Sequence, residues 1–245
     1  MRQASLVIIG DEILSGRTED KNLAYLAKWL GKLGISLSEV RVVLDDEEGI
    51  IDAVNSLREK YDYVFTTGGI GPTHDDITSK SIAKAFKQPY GYHKEAYAIL
   101  EKYYGPNKFN EGRKKMSMTP KKATLIYNPS SGAPGFIVEN VFCLPGVPSI
   151  LKSMVSGLKN KIVGGEKILS KTVSVNTVES EIAKSLEKVQ NKYSKLEIGS
   201  YPFFRFGKVG VSIVIRSTKL KQIDLCLEEI INFLKKKNIK IIDRD

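Results

Sequence analysis

Thr66-Thr67-Gly68-Gly69-Ile70-Gly71-Pro72-Thr73-His74-Asp75-Asp76-Ile77-Thr78 holds three glycines and two adjacent aspartates between two segments of regular pattern. Before it, Tyr63-Val64-Phe65 is a short apolar run that predicts a buried strand; after it, Ser79 to Phe86 predicts a helix. A glycine-rich turn between a strand and a helix N-terminus gathers backbone amides and the positive end of the helix dipole, which together suit an anion. Asp75 and Asp76 repel a phosphate, and a divalent cation between carboxylate and phosphate removes the conflict. Oxygen ligands of this kind suit magnesium or manganese. The turn therefore predicts a phosphate-containing small molecule, a nucleotide or pterin phosphate, bound with a metal. It is not a Walker loop, because no Gly-Lys-Ser/Thr follows, and it does not fit the Gly-x-Gly-x-x-Gly dinucleotide fingerprint, which belongs after the first strand. No Gly-x-Ser-x-Gly elbow is present.

Upstream of the turn, strand and helix patterns alternate. Ser5 to Ile9 predicts a strand, Lys21 to Leu33 a helix with Leu23, Leu26, Ala27, Leu30 and Leu33 at helical spacing, and Ile35 to Val43 a strand. Asp20 suits an N-cap and Gly34 a C-terminal stop. Asp46 to Lys60 predicts a helix with Ile50, Ile51, Val54 and Leu57 on one face. Such alternation is the pattern of an open parallel sheet covered by helices, which binds ligands at the carboxyl ends of its strands.

Downstream, His93 to Tyr103 predicts a helix, and Asn107 to Lys122 is polar. Asn128 to Gly135 is dense in turn formers, and Phe136 to Val138 with Val141 to Leu144 predicts a hairpin. Pro145-Gly146-Val147-Pro148 then precedes a helix from Ser149 to Leu158, a second strand-to-helix turn and a second wall for the site. Gly164-Gly165 marks a domain boundary. Beyond it, Lys171 to Val175, Glu179 to Gln190, Leu196 to Tyr201, Val209 to Ile215, Leu220 to Leu234 and Lys240 to Ile242 read as βαββαβ, the split β-α-β sandwich. The predicted architecture is an α/β parallel-sheet domain over residues 1–165 and a small α+β domain over 166–245.

The 245 residues are ample for a sizeable core, and no apolar run approaches the roughly 20 residues of a membrane span. The N-terminus lacks the apolar region and cleavage site of a signal peptide. Cys143 and Cys226 are far apart and form neither a disulfide framework nor a zinc spacing, so reduced core thiols and a cytoplasmic location are expected. The formal net charge is +10. Residues 1–165 carry 22 basic and 18 acidic side chains, and the remainder 16 and 10, so the excess is spread along the chain. It comes mostly from lysine, which predicts a solvated surface rather than base-specific reading of nucleic acid. Gly207-Lys208-Val209-Gly210 resembles the Gly-x-x-Gly loop of KH domains, but it sits between strand-like runs and predicts a hairpin turn. Tyr201-Pro202-Phe203-Phe204-Arg205-Phe206 suits either stacking on a base or packing in a core or between domains.

Three acidic pairs follow the first three strands: Asp11-Glu12, Asp45-Asp46 and Asp75-Asp76. In a parallel sheet all three fall at the carboxyl edge, where carboxylates hold a metal or orient a water. Asp45 and Asp46 also suit helix caps, and Asp75 and Asp76 complement a helix dipole. Gly10 lets backbone approach a ligand beside Asp11-Glu12. His74 suits a metal ligand, a phosphate contact, a base or an exposed side chain; His93 reads as structural. Ser131 reads as shaping backbone or binding phosphate.

Gly10-Asp11-Glu12-Ile13-Leu14-Ser15-Gly16 with Asn22, and the Thr66–Thr78 stretch, resemble the two leading motifs of the molybdopterin-binding (MoaB/Mog-type) fold. Asn128-Pro129 with Gly132-Ala133-Pro134-Gly135, Leu144-Pro145-Gly146-Val147-Pro148 and Gly199-Ser200-Tyr201-Pro202 resemble the N-terminal part of competence/damage-inducible protein A (CinA). The Thr73-His74-Asp75-Asp76 variant is similar to the molybdopterin-binding-like domain of eukaryotic FAD synthase. The resemblance implies a three-layer molybdopterin-binding-like domain followed by a KH-type or ferredoxin-like one. It implies hydrolysis of a nucleotide pyrophosphate such as ADP-ribose or FAD, with Mg2+, Mn2+ or Co2+ and with K+. By motif match, Asp11, Asp75 and Asp76 handle metal or water. Gly10, Glu12, Asn22, Thr67, Gly68, Gly69, Gly71, Pro72, His74, Ser131, Gly132, Pro145 and Gly146 hold phosphate and the rest of the ligand. A homodimer is implied, and amidase and FAD-synthesising activities are not expected. Binding or adenylation of molybdopterin is the alternative, and a nucleic-acid-binding module a second one.

Overall fold

The computed structural model describes residues 2–205 and 208–244 and divides into two compact units, Met1–Gly165 and Glu166–Asp245. In the first, β1 (Arg2–Ile9), β2 (Ile35–Val43), β3 (Tyr63–Thr67), β6 (Thr124–Ile126), β7 (Gly135–Val138) and β8 (Val141–Leu144) form a six-stranded sheet in the order β2-β1-β3-β8-β7-β6. The four strands β2, β1, β3 and β8 are mutually parallel, and β7 and β6 continue antiparallel. Alternate residues of β1 face opposite sides. Ala4, Leu6 and Ile8 pack with Leu26 and Leu30 of α2 (Asn22–Lys32) and Leu151 and Met154 of α7 (Pro148–Val155). Val7 and Ile9 pack with Ile50, Val54 and Leu57 of α3 (Glu47–Lys60) and Ile82 of α4 (Thr78–Ala85). The two-residue period of the strand thus feeds two helix layers, and three layers result.

Most predicted elements recur with ends shifted by a few residues. The helix expected over 149–158 gives way after Val155 to a 3-10 helix, Ser156–Lys161. The segment read only as polar, 107–122, is more structured: a 3-10 turn Pro106–Lys108, a short helix α6 (Glu111–Lys115) and a strand β5 (Met118–Pro120). β5 pairs with β4 (Tyr90–Tyr92), and α5 (Lys94–Tyr104) lies between them in sequence. The remaining short helix, α1 (Asp11–Leu14), follows β1 directly.

In the second unit, β9 (Leu169–Val175), α8 (Glu179–Lys192), β10 (Glu197–Arg205), β11 (Lys208–Ser217), α9 (Leu220–Lys236) and β12 (Ile241–Arg244) follow one another. The sheet order is β10-β11-β9-β12 with every neighbour antiparallel. That is the ferredoxin-like arm of the two expectations, and the KH-type arm is set aside. Val173, Val211, Ile213 and Ile215 meet Ile182, Ile223 and Ile230 of the helices in a separate core. Of the Gly-x-x-Gly reading, Gly207 lies outside the described residues, as does residue 206, whereas Lys208, Val209 and Gly210 open β11; Arg205 stands opposite Lys208 in the β10–β11 register. Among the described residues, no helix is long and apolar enough to cross a membrane.

Candidate functional site

The parallel sheet brings the ends of β1, β2 and β3 to one edge, and with them all three acidic pairs. A cleft of about 570 Å³ opens there, within the range of small-molecule sites. Gly10, Glu12, Gly68, Gly69, Gly71, Pro72, Asp75, Asp76, Ser131, Pro145 and Gly146 line it, together with Thr18, Asp45, Met116 and Asn128. Four carboxylates face this space, and among the described lining residues there is no Lys, Arg or His.

The glycine turn is held by its own neighbours. Gly68 N–H donates to the Leu144 carbonyl at 3.1 Å, Thr78 N–H to the Gly69 carbonyl at 2.9 Å, and the Thr78 hydroxyl to the Gly68 carbonyl at 3.0 Å. Asp76 Oδ2 accepts from both the Thr73 amide, at 2.7 Å, and its hydroxyl, at 2.5 Å. Gly68 thus spends its amide on β8, and Thr73, Asp76 and Thr78 spend theirs inside the turn. Among the described residues, the amides of Gly69, Ile70 and Gly71 donate to no other group, and these three residues line the cleft. A further part of the lining is a loop wound on Asn128. Its Oδ1 accepts from the Ser130 and Ser131 amides at 2.9 and 3.1 Å, and its Nδ2 donates to the Ser131 hydroxyl and the Ala133 carbonyl.

Asp11 and Asp45 lock two loops together. Asp45 N–H donates to Asp11 Oδ1 at 2.9 Å, and Asp11 N–H to Asp45 Oδ2 at 3.1 Å. Asp11 does not line the cleft, whereas Asp45, read as a possible cap, does. Burial pushes the Asp45 carboxyl up, and the charges of Asp11, Glu12 and Asp75 add to the rise. Asp46 is the cap of α3, accepting from Gly49 N–H at 2.8 Å. Among the described residues, no group of three His, Cys, Asp or Glu side chains is disposed to hold a metal, so Asp11, Asp75 and Asp76 do not form a preassembled cage.

Four other expected ligand residues stand apart from the cleft lining. Asn22 and Thr67 are buried; Asn22 Nδ2 donates to the Gly146 carbonyl at 2.7 Å and so fixes the second wall. Gly132 sits against the Tyr103 ring, and His74 is exposed. His93 caps α5, its Nδ1 accepting from Ala96 N–H at 3.3 Å. Of the lining residues not expected to hold ligand, Met116 and Thr18 carry no local signal, whereas Asn128 was visible in its turn-rich loop and in the Asn128-Pro129 motif.

Fold and cleft together define an α/β protein with a ligand cleft at the carboxyl edge of a parallel sheet and a separate ferredoxin-like unit. The chain belongs to the family described as probable molybdopterin binding domain, whose model matches residues 5–164. Residues 167–243 match the model described as FAD synthase, middle domain. An Archaeoglobus fulgidus protein is 36% identical over 197 residues, covering 80% of this chain and 84% of its own. The probable FAD synthase of Caenorhabditis briggsae is 30% identical over 259 residues, covering 94% of this chain, which spans 50% of that longer protein. The crystal structure of CinA from Thermoplasma acidophilum, a protein of unknown function, is 33% identical with a TM-score of 0.62, over 65% of this chain and 97% of that one.

Proposed function

We propose that the protein is a metal-dependent hydrolase of nucleotide pyrophosphate bonds, acting on ADP-ribose or FAD-like substrates. The observation that carries this reading is one cleft lined both by the unspent amides of Gly69, Ile70 and Gly71 and by the carboxylates of Glu12, Asp45, Asp75 and Asp76. Amides suit phosphate oxygens; carboxylates do not, unless a cation lies between. The donor set fits magnesium in its usual manner, one or two carboxylates plus the ligand's own phosphates, rather than an all-protein cage. Asp75 and Asp76 would hold the cation, with manganese, cobalt and potassium as the other ions to test. When bound, a divalent cation neutralises pyrophosphate charge and acidifies a coordinated water. The glycine amides stabilise the charge that grows on the phosphoryl oxygens. The apolar side chains of Ile70, Met116, Val147 and Ile150 in the same lining suit a planar ring. Asp11 acts through Asp45 by joining their loops.

The test is release of AMP from ADP-ribose and FAD by purified protein with Mg2+, Mn2+ or Co2+ plus K+. Asp75→Asn and Asp76→Asn are each expected to lower turnover about 100-fold or more while the protein stays folded. Folded wild-type protein that turns over neither substrate with any of the metals would sink the hydrolase. The second reading is then favoured by the description of the family: binding or adenylation of a molybdopterin-type ligand, with tight binding and no pyrophosphate cleavage. The homodimer implied by the family resemblance belongs to this proposal too, and light scattering on the eluting protein measures it.

A further inference from the structure

Three consecutive basic residues, Arg113, Lys114 and Lys115, end α6, and they are used differently. Arg113 lies over the Tyr104 ring at 4.1 Å and donates to the Lys108 carbonyl. Lys114 pairs with Glu111 at 2.6 Å. The Lys115 ammonium instead donates to the Thr73 carbonyl of the glycine turn, and among the described residues it forms no ion pair. The next residue, Met116, lines the cleft, and Gly112 packs so closely on the turn that a Cβ there would stand 3.3 Å from the Pro72 carbonyl oxygen. An unpaired cation is thus held at the rim of a cleft lined by carboxylates alone among charged groups.

We propose that Lys115 is the phosphate-contacting cation of this cleft, its ammonium leaving the Thr73 carbonyl for a phosphate oxygen of a ligand on the glycine turn. The inference rests on reading the cleft as a phosphate site. A neutral carbonyl is a weaker partner for an ammonium than a phosphate oxygen, so the exchange is downhill once a ligand arrives. The flexible four-carbon stem lets the charge move a few ångströms without moving the helix. Meanwhile the carbonyl contact keeps the ammonium near the turn.

The decisive comparison is between Lys115→Gln, which can still donate to the Thr73 carbonyl, and Lys115→Met, which cannot. Calorimetric titration of the full chain with inorganic pyrophosphate and with ADP-ribose, at fixed Mg2+, reads the effect. Both variants are expected to bind about tenfold or more weakly at an unchanged melting temperature, with Lys115→Arg keeping most of the affinity. A Gln variant that binds like wild type while Met does not would make Lys115 only a tie on the loop and overturn the proposal. So would unchanged binding in both, or wild-type protein that binds neither probe. Wild-type binding of pyrophosphate without hydrolysis of ADP-ribose or FAD would sink the hydrolase and leave Lys115 to be judged on the pyrophosphate arm.

Discussion

Gly68 leaves no room for any other residue. Its φ is +103°, and a Cβ would stand 2.1 Å from the Ile9 carbonyl oxygen. Gly16 also has a positive φ, +72°, but a Cβ there meets nothing within 4 Å. Gly16→Ala is therefore expected to cost about 1 kcal/mol from backbone strain alone, and Gly68→Ala distinctly more, because β1 or β3 must shift as well. Urea unfolding of the two variants gives the comparison. Glu39 makes a pH prediction. Lys60, then Tyr61 and Arg41, hold its carboxyl down to about 2 from an ordinary 4.5. A lowered carboxyl stabilises the folded state above its unfolded value, and that contribution is lost as pH falls from about 4.5 toward about 2. Glu39→Gln should thus flatten the fall of melting temperature across that window relative to wild type. Cys143 is raised by burial to about 12 and Cys226 to about 11, so neither thiol should react with a thiol reagent until the protein unfolds. At this scale the sequence was partly legible. Glycines before Asp75 and Asp76 announced the turn, and Asp46 announced a cap, because both act locally. The Asp11–Asp45 lock joins residues 34 apart and follows from the β1–β2 register, which no local pattern contains.

Among elements, long periodic ones were readable and short ones were not. α3 shows its signal in full: Asp46 as cap, Glu47 and Glu48 in the first turn, Arg58 and Lys60 in the last. Asp46→Ala is expected to cost about 1 kcal/mol by losing the bond to Gly49 N–H. By contrast α6 has five residues, too few for a 3.6-residue period to show. Its one local marker is Asn110, whose Oδ1 accepts from Arg113 N–H at 3.0 Å. The three-residue strands β4 and β5 are equally silent, since alternation needs about four residues to register. Of these unread pieces, α6 packs on the glycine turn and carries Lys115, with Met116 after it, to the cleft. The part of the site that escaped the sequence is therefore the part built by short elements and tertiary contact. Asn110→Ala should raise hydrogen exchange in α6 first, well before that of α3, because the cap is a large share of so short a helix.

The whole molecule consists of two units with separate cores, and the boundary at Gly164-Gly165 was visible as a break in pattern. Gly165 N–H donates to the Leu33 carbonyl, so the first unit closes on its own last residue. The cleft residues, from Ile9 to Ile150, all belong to that unit. The second unit holds a fully buried set on both sheet and helices, including Val211, Ile213, Ile223 and Ile230. A unit of this size sits near the lower limit at which one hydrophobic core suffices without a disulfide or metal. Its antiparallel sheet is nevertheless complete within the unit, and its helices cover one face. Fragments 1–165 and 166–245, made separately, are each expected to unfold cooperatively by circular dichroism, the smaller at the lower temperature. A smaller fragment that shows no cooperative transition would mean that its core depends on the rest of the chain.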